Sequence, residues 1–337
     1  MSTRTHPASP HVPTPPPMSD AAFRSLYRRL REQSPYEEQH DEQSPPAGRP
    51  AGGTDGPRGA LARLTPQRVA AAAAEVRTGR TVSLAAPVQT ARGPDDPQPA
   101  SHRMLAPAPG ETVSRGLHFA RDSFAMNVHG DADTHLDALC HVIFDGELHG
   151  GVPASTVTPQ GARELTLDTV ADGIVGRGVL LDIPRLWGVP WVRPGDQVTA
   201  EDLTAAEEAQ GVTVGPGDLL FVRVGHRRRR RTLGAWDPAQ ARAGLHPQAM
   251  RFPAERGVAV LGSDGNNDAA PSAVEGTDYP VHVLAVHALG MHLLDYLDFE
   301  ELVPVCEELA RWHFLCVVAP LRLPAATGSP VNPIAVL

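Results

Sequence analysis

The amino-acid sequence predicts a mixed α/β domain with a β-rich centre. Two observations support this class: short apolar runs recur along the chain, and amphipathic segments lie between them. Apolar runs of roughly four to eight residues, bounded by Gly, Pro or charged residues, are typical of buried strands. The runs that predict strands are 81–85, 179–183, 218–224, 258–262 and 314–318.

Helical spacing of apolar residues predicts four helices, over 20–31, 67–77, 199–210 and 280–297. Thr65 and Pro66 have the residue types of an N-cap and of a first helical position. Thr199 is a second N-cap candidate, and the two acids that follow it suit the positive end of a helix dipole.

Domain organisation is indicated by the distribution of Pro and Gly. Residues 1–18 are rich in Pro, and residues 33–59 are polar and rich in Pro and Gly. Both compositions are typical of disordered or mobile segments. The stretch 90–104 is expected to be a polar loop. We therefore expect a lead-in over 1–59 that contains one short helix, followed by a folded domain over 60–337.

Composition limits the classes of function. The chain has 337 residues and a formal net charge of -9, which argues against a broad surface for nucleic acid or anionic membranes. One basic run, 226–231, is an exception, and a solvated loop is expected there rather than a phosphate-binding patch. We find no run long enough for a membrane span and no secretory signal. Three cysteines are too few for a disulfide framework, so a cytoplasmic location is expected.

Potential metal ligands concentrate in the fifteen residues that end at His141, seven of which are His, Asp or Thr. In a strand, residues i and i+2 face the same side, so His135 and Asp137 can present an imidazole and a carboxylate to one ion. Asp131 has the same parity, and His141 could face the same pocket if the strand bends. Mixed nitrogen and oxygen ligation suits Zn, Mn or Fe.

Each of these side chains taken alone is expected to be solvated or to cap a turn. As a cluster that precedes the apolar run 142–144, they need a compensating partner, because burying so many polar groups costs free energy. Spacing by itself therefore predicts a metal site but no particular reaction.

The segment 134–141 resembles the motif His-x-Gly-Thr-His-x-Asp-x-Pro-x-His of the cyclase family, which includes bacterial kynurenine formamidase and isatin hydrolase. Leu139 replaces the Pro, as in the longer members. The similarity extends from about Leu61 to the C-terminus and includes 178–183, 214–218, 261–264 and 290–295. It implies a central β-barrel-like β/α domain of the cyclase/formamidase type, which is often a homo-oligomer.

The resemblance also implies roles for individual residues. His135 and Asp137 are similar to metal ligands of the family, and His141 is similar to its catalytic acid/base. His282 and Asp295 fall where the family has a further His and a bridging acid, usually Glu. One or two divalent ions, Zn or Mn, are thereby implied.

This sequence departs from the motif upstream of Thr134. The first His corresponds to Asp131, which could still supply an oxygen ligand, or His129 could substitute from two residues earlier. On one continuous helix, His282 and Asp295 would lie about 140° apart. They could meet at one ion only if the helix breaks or if the His lies at its start.

Other polar residues have two interpretations each. Asp264 follows an apolar run and could orient a ligand or form an Asx turn. His287 and His292 are expected to be packing or surface residues. Cys140 beside His141 does not predict a catalytic dyad, since adjacent residues of a strand face opposite sides.

The function expected from the motif is a metal-dependent hydrolase that cleaves an amide, lactam or formamide bond of a small aromatic metabolite. A bound ion would activate the attacking water, and His141 would transfer its proton. The alternative from the same family is a metal-assisted cyclase acting on a polyketide-like intermediate. A third hypothesis is a non-catalytic scaffold on a decayed hydrolase fold. A Gly-x-Ser-x-Gly elbow and a phosphate-binding loop are both absent from the sequence.

Overall fold

The computed structural model describes residues 15–34, 58–105 and 119–337. Most of the predicted lead-in, 1–14 and 35–57, lies outside these ranges, so the proposed boundary near residue 60 stays a prediction. Within the described residues no helix is long and apolar enough to cross a membrane.

The centre of the fold is a curled, half-barrel sheet with nine strands in the part of the chain that is described. The strands of the molecule in chain order are β1 (Thr81–Ser83), β2 (Ser101–Leu105), β3 (Arg121–Ala125), β4 (His135–Asp137), β5 (Glu147–Leu148), β6 (Val152–Pro153), β7 (Val157–Thr158), β8 (Gly161–Ala162), β9 (Ile174–Asp182), β10 (Gln197–Val198), β11 (Leu219–Arg223), β12 (Gly244–Leu245), β13 (Val260–Ser263), β14 (His292–Asp295), β15 (His313–Val318), β16 (Gly328–Pro330) and β17 (Ile334–Val336).

The order of strands across the large sheet is β1-β17-β15-β9-β11-β13-β14-β4-β16. Strands β9, β11, β13 and β14 run parallel to one another, and the remaining neighbours are antiparallel. The predicted apolar runs fall on β1, β9, β11, β13 and β15, which confirms the strand predictions and the mixed α/β class. Strands β11 and β13 are buried at every position, as expected for parallel strands covered on both faces.

Eight α-helices accompany the sheet in the described residues. They are α1 (Asp20–Arg31), α2 (Pro66–Ala73), α3 (Ile183–Trp187), α4 (Ala200–Gln210), α5 (His226–Leu233), α6 (Arg251–Glu255), α7 (Pro280–His282) and α8 (Leu302–Leu309). Short 3-10 helices cover Gly59–Arg63, His149–Gly151, Ala154–Thr156, Leu167–Val170 and Pro247–Met250.

Three of the predicted helices are confirmed. Helix α1 has the predicted bounds and buries Phe23, Leu26 and Leu30. Thr65 caps α2 and Thr199 caps α4, the latter in a reciprocal capping box with Asp202. Helix α2 ends earlier than residue 77, because the chain beyond Ala73 closes in tighter i→i+3 hydrogen bonds.

One predicted loop is partly a strand, and another is a helix. The stretch 90–104 has no helix or strand over 90–100, as predicted, but its end belongs to β2, which pairs with β3 in an exposed antiparallel ladder. The basic run was expected to be a solvated loop, and that prediction was wrong, because it forms α5. Arg227 is buried and donates to the carbonyl of Leu297, while Arg230 and Arg231 pair with Asp95 and Asp298.

The predicted helix over 280–297 is correct only in its first half. The short α7 continues as a π-helix over Val283–Ala288, and the chain turns at Gly290, where φ is +63°. Strand β14 then begins at His292 and lies between β13 and β4. This break places Asp295 in the central sheet beside β4, while His282 stays on α7.

Candidate metal centre

The pairing of β4 with β14 brings three potential ligands together. Asp295 lies directly opposite His135, and Leu293 lies opposite Asp137, in an antiparallel register. Directly opposed residues share one face of a sheet. The side chains of His135, Asp137 and Asp295 therefore point to the same side, and all three are buried.

Asp137 is at the middle of the cluster. Its side chain is 1% exposed, and Oδ1 accepts a hydrogen bond of 2.9 Å from Nδ1 of His129. Among the described residues, Oδ2 has no hydrogen-bond partner and lies 3.6 Å from Nε2 of His282. Although burial alone would raise the pKa of Asp137, the interaction with the neighbouring imidazole of His141 and the hydrogen bond from His129 lower it below its usual value. A buried, ionised carboxylate with an oxygen that lacks a hydrogen-bond partner is stabilised by a nearby cation.

His282 is oriented by Asp268. One oxygen of Asp268 lies 2.6 Å from Nδ1 of His282, and the same carboxylate accepts from the backbone N–H groups of Val281 and His282 at the start of α7. The free Nε2 lies 3.4 Å from Oδ2 of Asp295. Burial lowers the pKa of His282, but Asp295 and Asp268 outweigh it and raise the pKa well above its usual value.

His135 and Asp295 are held in the same way. The carbonyl of Asp133 accepts from Nδ1 of His135 at 2.9 Å, which leaves Nε2 facing Oδ1 of Asp137 at 3.6 Å. Asp295 accepts from the side-chain amides of Asn266, at 3.0 Å, and Asn267. These contacts fix the tautomer of the imidazole and the orientation of the carboxylate, as partners of metal ligands commonly do.

Two groups of side chains in the described residues have ligand atoms within 4.8 Å of one another: His135 with Asp137 and Asp295, and His129 with Asp137 and His141. Asp137 belongs to both. Imidazole nitrogens with carboxylate oxygens are a donor set that suits Zn or Mn. The residues present therefore fit a divalent ion.

His141 lies at the edge of this cluster and is half-buried. Its ring stacks on that of His129, with centroids 3.7 Å apart and planes 7° apart. Burial lowers the pKa of His141 to about 4, although Asp137 opposes the shift. Near neutral pH the imidazole is therefore uncharged and has a lone pair that can accept a proton.

A family model described as "Putative cyclase" matches residues 31–267 of this chain. The chain belongs to the Cyclase family. A solved structure described as a novel cyclase is 30% identical and covers 85% of this chain and 95% of its own, with a TM-score of 0.74. A search of curated protein sequences gives no match.

Two isatin hydrolases share the fold of this Cyclase-family chain. Isatin hydrolase A from Labrenzia aggregata, solved with benzyl benzoate, is 21% identical, has a TM-score of 0.54, and covers 76% of this chain and 93% of its own. Isatin hydrolase A from Ralstonia solanacearum is also 21% identical, has a TM-score of 0.53, and covers 80% of this chain and 97% of its own.

The structure brings together four of the five metal ligands expected from the Cyclase motif. Asp131 and His282 both lie outside the two groups of ligand atoms, but Nε2 of His282 is 3.4 Å from Asp295 and 3.6 Å from Asp137, whereas Asp131 accepts a hydrogen bond of 2.6 Å from the hydroxyl of Tyr296. Burial raises the pKa of Tyr296 well above its usual value, and Asp131 adds to the shift. His129, two residues earlier, contacts Asp137 in its place.

Residues outside the expected set have structural contacts. Asp264 is buried and accepts a hydrogen bond of 2.6 Å from the backbone N–H of Val224. This bond connects the ends of β11 and β13. His287 and His292 are buried on α7's continuation and β14. Burial raises the pKa of the Cys140 thiol to about 12, which disfavours a thiolate nucleophile beside His141.

Sequence reasoning missed Asp268. It lies at the end of the segment 262–268, four residues after Asp264. No spacing signal was available, because Asp268 and His282 are fourteen residues apart and meet only through the fold.

Proposed function

We propose that this protein is a metal-dependent hydrolase that cleaves an amide, lactam or formamide bond of a small aromatic metabolite. The observation that carries the proposal is the buried Oδ2 of Asp137, which has no hydrogen-bond partner among the described residues and lies 3.6 Å from Nε2 of His282. His135, Asp137, His282 and Asp295 would hold the ion, for which we propose Zn or Mn. A divalent ion in such a site lowers the pKa of water and polarises a substrate carbonyl.

The residues of the chain supply the proton transfers. His141, uncharged near neutral pH, would accept a proton from the attacking water and then donate it to the leaving nitrogen as the C–N bond breaks. The net reaction adds one water across that bond. Asp268 keeps His282 in one orientation throughout, since its hydrogen bond to Nδ1 holds the ring.

An aromatic substrate is supported by a ring beside one of the ligand candidates. Tyr279 is 43% exposed and lies edge-on to His282, with centroids 5.7 Å apart. Aromatic rings prefer such edge-to-face or offset neighbours at about 4.5–7 Å. The fold shared with two isatin hydrolases is consistent with hydrolysis of a ring-bearing substrate. The three buried free cysteines also support a cytoplasmic location.

The test is hydrolysis by chelator-treated protein and by the same protein reloaded with Zn or Mn. N-formylkynurenine, isatin and simple lactones serve as the panel, with product masses recorded. We expect hydrolysis of a panel member that is lost on chelation and regained on reloading. Full activity after chelation would contradict the proposal. A ring-closed product without added water would favour the cyclase alternative, which is supported by the 30% identical structure described as a cyclase.

A further inference from the structure

His129 lies upstream of the family motif, yet it contacts both Asp137 and His141. We propose that His129 is a positioning residue: it holds Oδ1 of Asp137 and the ring of His141, so that Oδ2 of Asp137 remains directed towards the divalent ion. The inference rests on the proposed function, because it concerns the same centre.

Both ring nitrogens of His129 have partners within the protein. The carboxylate of Asp137 can only accept, so Nδ1 of His129 donates across the 2.9 Å contact. Nε2 lies 2.9 Å from the hydroxyl of Thr327 on the opposite side of the ring. The ring is therefore held at two points, one of them the central carboxylate.

Strand β16 provides the space that the His129 ring occupies. A Cβ on Gly328 would lie 2.6 Å from Cε1 of His129 and 2.6 Å from the carbonyl oxygen of Leu136. Real Cβ atoms do not come so close to such atoms. The absence of a side chain at Gly328 therefore leaves room for the His129 ring, and the hydroxyl of Thr327 holds its Nε2.

The other face of the His129 ring is covered by His141. The two rings are nearly parallel, with centroids 3.7 Å apart, and His135 meets His129 edge-on at 5.5 Å. Stacking therefore holds the plane of the His141 ring parallel to that of His129. One imidazole thus sets the geometry of the proposed base and of the central carboxylate.

The expected consequence is a change in ion affinity. Ligating carboxylates are usually held by hydrogen bonds, and loss of such a partner typically lowers metal affinity by about 10- to 100-fold. His129→Phe keeps an aromatic ring for stacking but donates nothing to Asp137. His129→Asn is the matched variant, because its side-chain amide can place an N–H near the position of Nδ1.

The experiment measures the affinity of metal-free full-length protein for Co²⁺ by competition with a chromophoric chelator. We expect His129→Phe to bind about 10- to 100-fold more weakly than wild type, and His129→Asn to recover most of the loss. Thr327→Val, which removes only the hydroxyl behind the ring, should show a smaller loss in the same direction. Far-UV circular dichroism confirms that each variant is folded.

The visible spectrum of bound Co²⁺ separates positioning from ligation. At saturating Co²⁺, we expect the bands of both His129 variants to match those of wild type, because no ligand is lost. Bands that shift as for a lost nitrogen ligand would overturn the inference, as would equal affinities of wild type and His129→Phe. Wild-type protein that binds no Co²⁺ would instead contradict the proposed function, and the inference with it.

Discussion

The carboxylate of Asp268 holds the imidazole of His282 at Nδ1, 2.6 Å away, while Nε2 of the same ring faces Asp295 and Asp137 at 3.4 and 3.6 Å. Asp268 also binds two backbone N–H groups at the start of α7. The carboxylate therefore fixes both the helix that carries His282 and the direction of its free nitrogen.

Replacing Asp268 tests that relationship. Asp268→Asn keeps an oxygen acceptor but weakens the charge-assisted bond to Nδ1, so we expect ion affinity to fall by about 10- to 100-fold. Chelator competition measures the loss. Asp122→Asn, on the exposed strand β3, is the matched control and should bind as wild type does. An unchanged affinity in Asp268→Asn would show that the bond to His282 does not orient the ligand.

Replacing His141 separates proton transfer from ion binding. His141→Gln retains a polar side chain but cannot act as a base, so we expect kcat to fall by about 100- to 10,000-fold. Because His135, Asp137, His282 and Asp295 stay in place, bound metal measured by elemental analysis should stay near the wild-type level. A variant with wild-type kcat would exclude His141 as the proton carrier.

The pH dependence of stability depends in part on His149. Burial lowers the pKa of His149 from its usual 6.5 to about 4, although its hydrogen bond to the carbonyl of His287 opposes the shift. Between these values the unfolded chain binds a proton that the folded protein does not, so stability is full above pH 6.5 and is lost as the pH falls towards 4. The contribution of this group is about 3 kcal/mol.

Urea unfolding of wild type and His149→Asn at a series of pH values checks this prediction. Asn can still donate to the carbonyl of His287 but does not titrate, so we expect a shallower loss of stability on acidification. The same replacement at His102, on the exposed β2–β3 hairpin, controls for removal of an imidazole. Identical slopes for wild type and His149→Asn would contradict the assignment.

Helix α1 is attached to the body of the fold partly through Tyr27. Its hydroxyl lies 2.9 Å from Nδ1 of His287, and its ring packs on Phe144 with centroids 5.3 Å apart. Tyr27→Phe removes only the hydrogen bond, so we expect the free energy of unfolding to fall by about 1 kcal/mol. Arg29→Ala, on the exposed side of the same helix, should change it little. A Tyr27→Phe protein as stable as wild type would show that this bond contributes nothing net.

The sequence predicted the central strands well because their apolar character is local. Strands β11 and β13 are covered on both faces, so nearly every residue is apolar and the run is visible without knowledge of its neighbours. The helix prediction over 280–297 failed in its second half because the structure there depends on residues far away in the chain. The apolar residues of this segment suit a helix as well as a buried strand, and only pairing with β13 and β4 makes His292–Asp295 a strand.

The residues of the candidate site also fall into two kinds: those that local spacing predicts and those that only the fold brings together. His135 and Asp137 were predictable, because a two-residue spacing in a strand places them on one face. The contacts of Asp268 with His282 and of His129 with Thr327 join residues far apart in the chain, and no spacing rule connects them. The same holds for the contact of Asp131 with Tyr296, which joins residues 165 positions apart.

Anomalous diffraction from crystals of the full chain grown with Zn or Mn tests the central claim most directly. We expect a metal peak within bonding distance of Nε2 of His135, Nε2 of His282 and the carboxylates of Asp137 and Asp295, and loss of that peak in Asp137→Asn. Crystals of metal-loaded wild-type protein with no anomalous peak at these four side chains would contradict it.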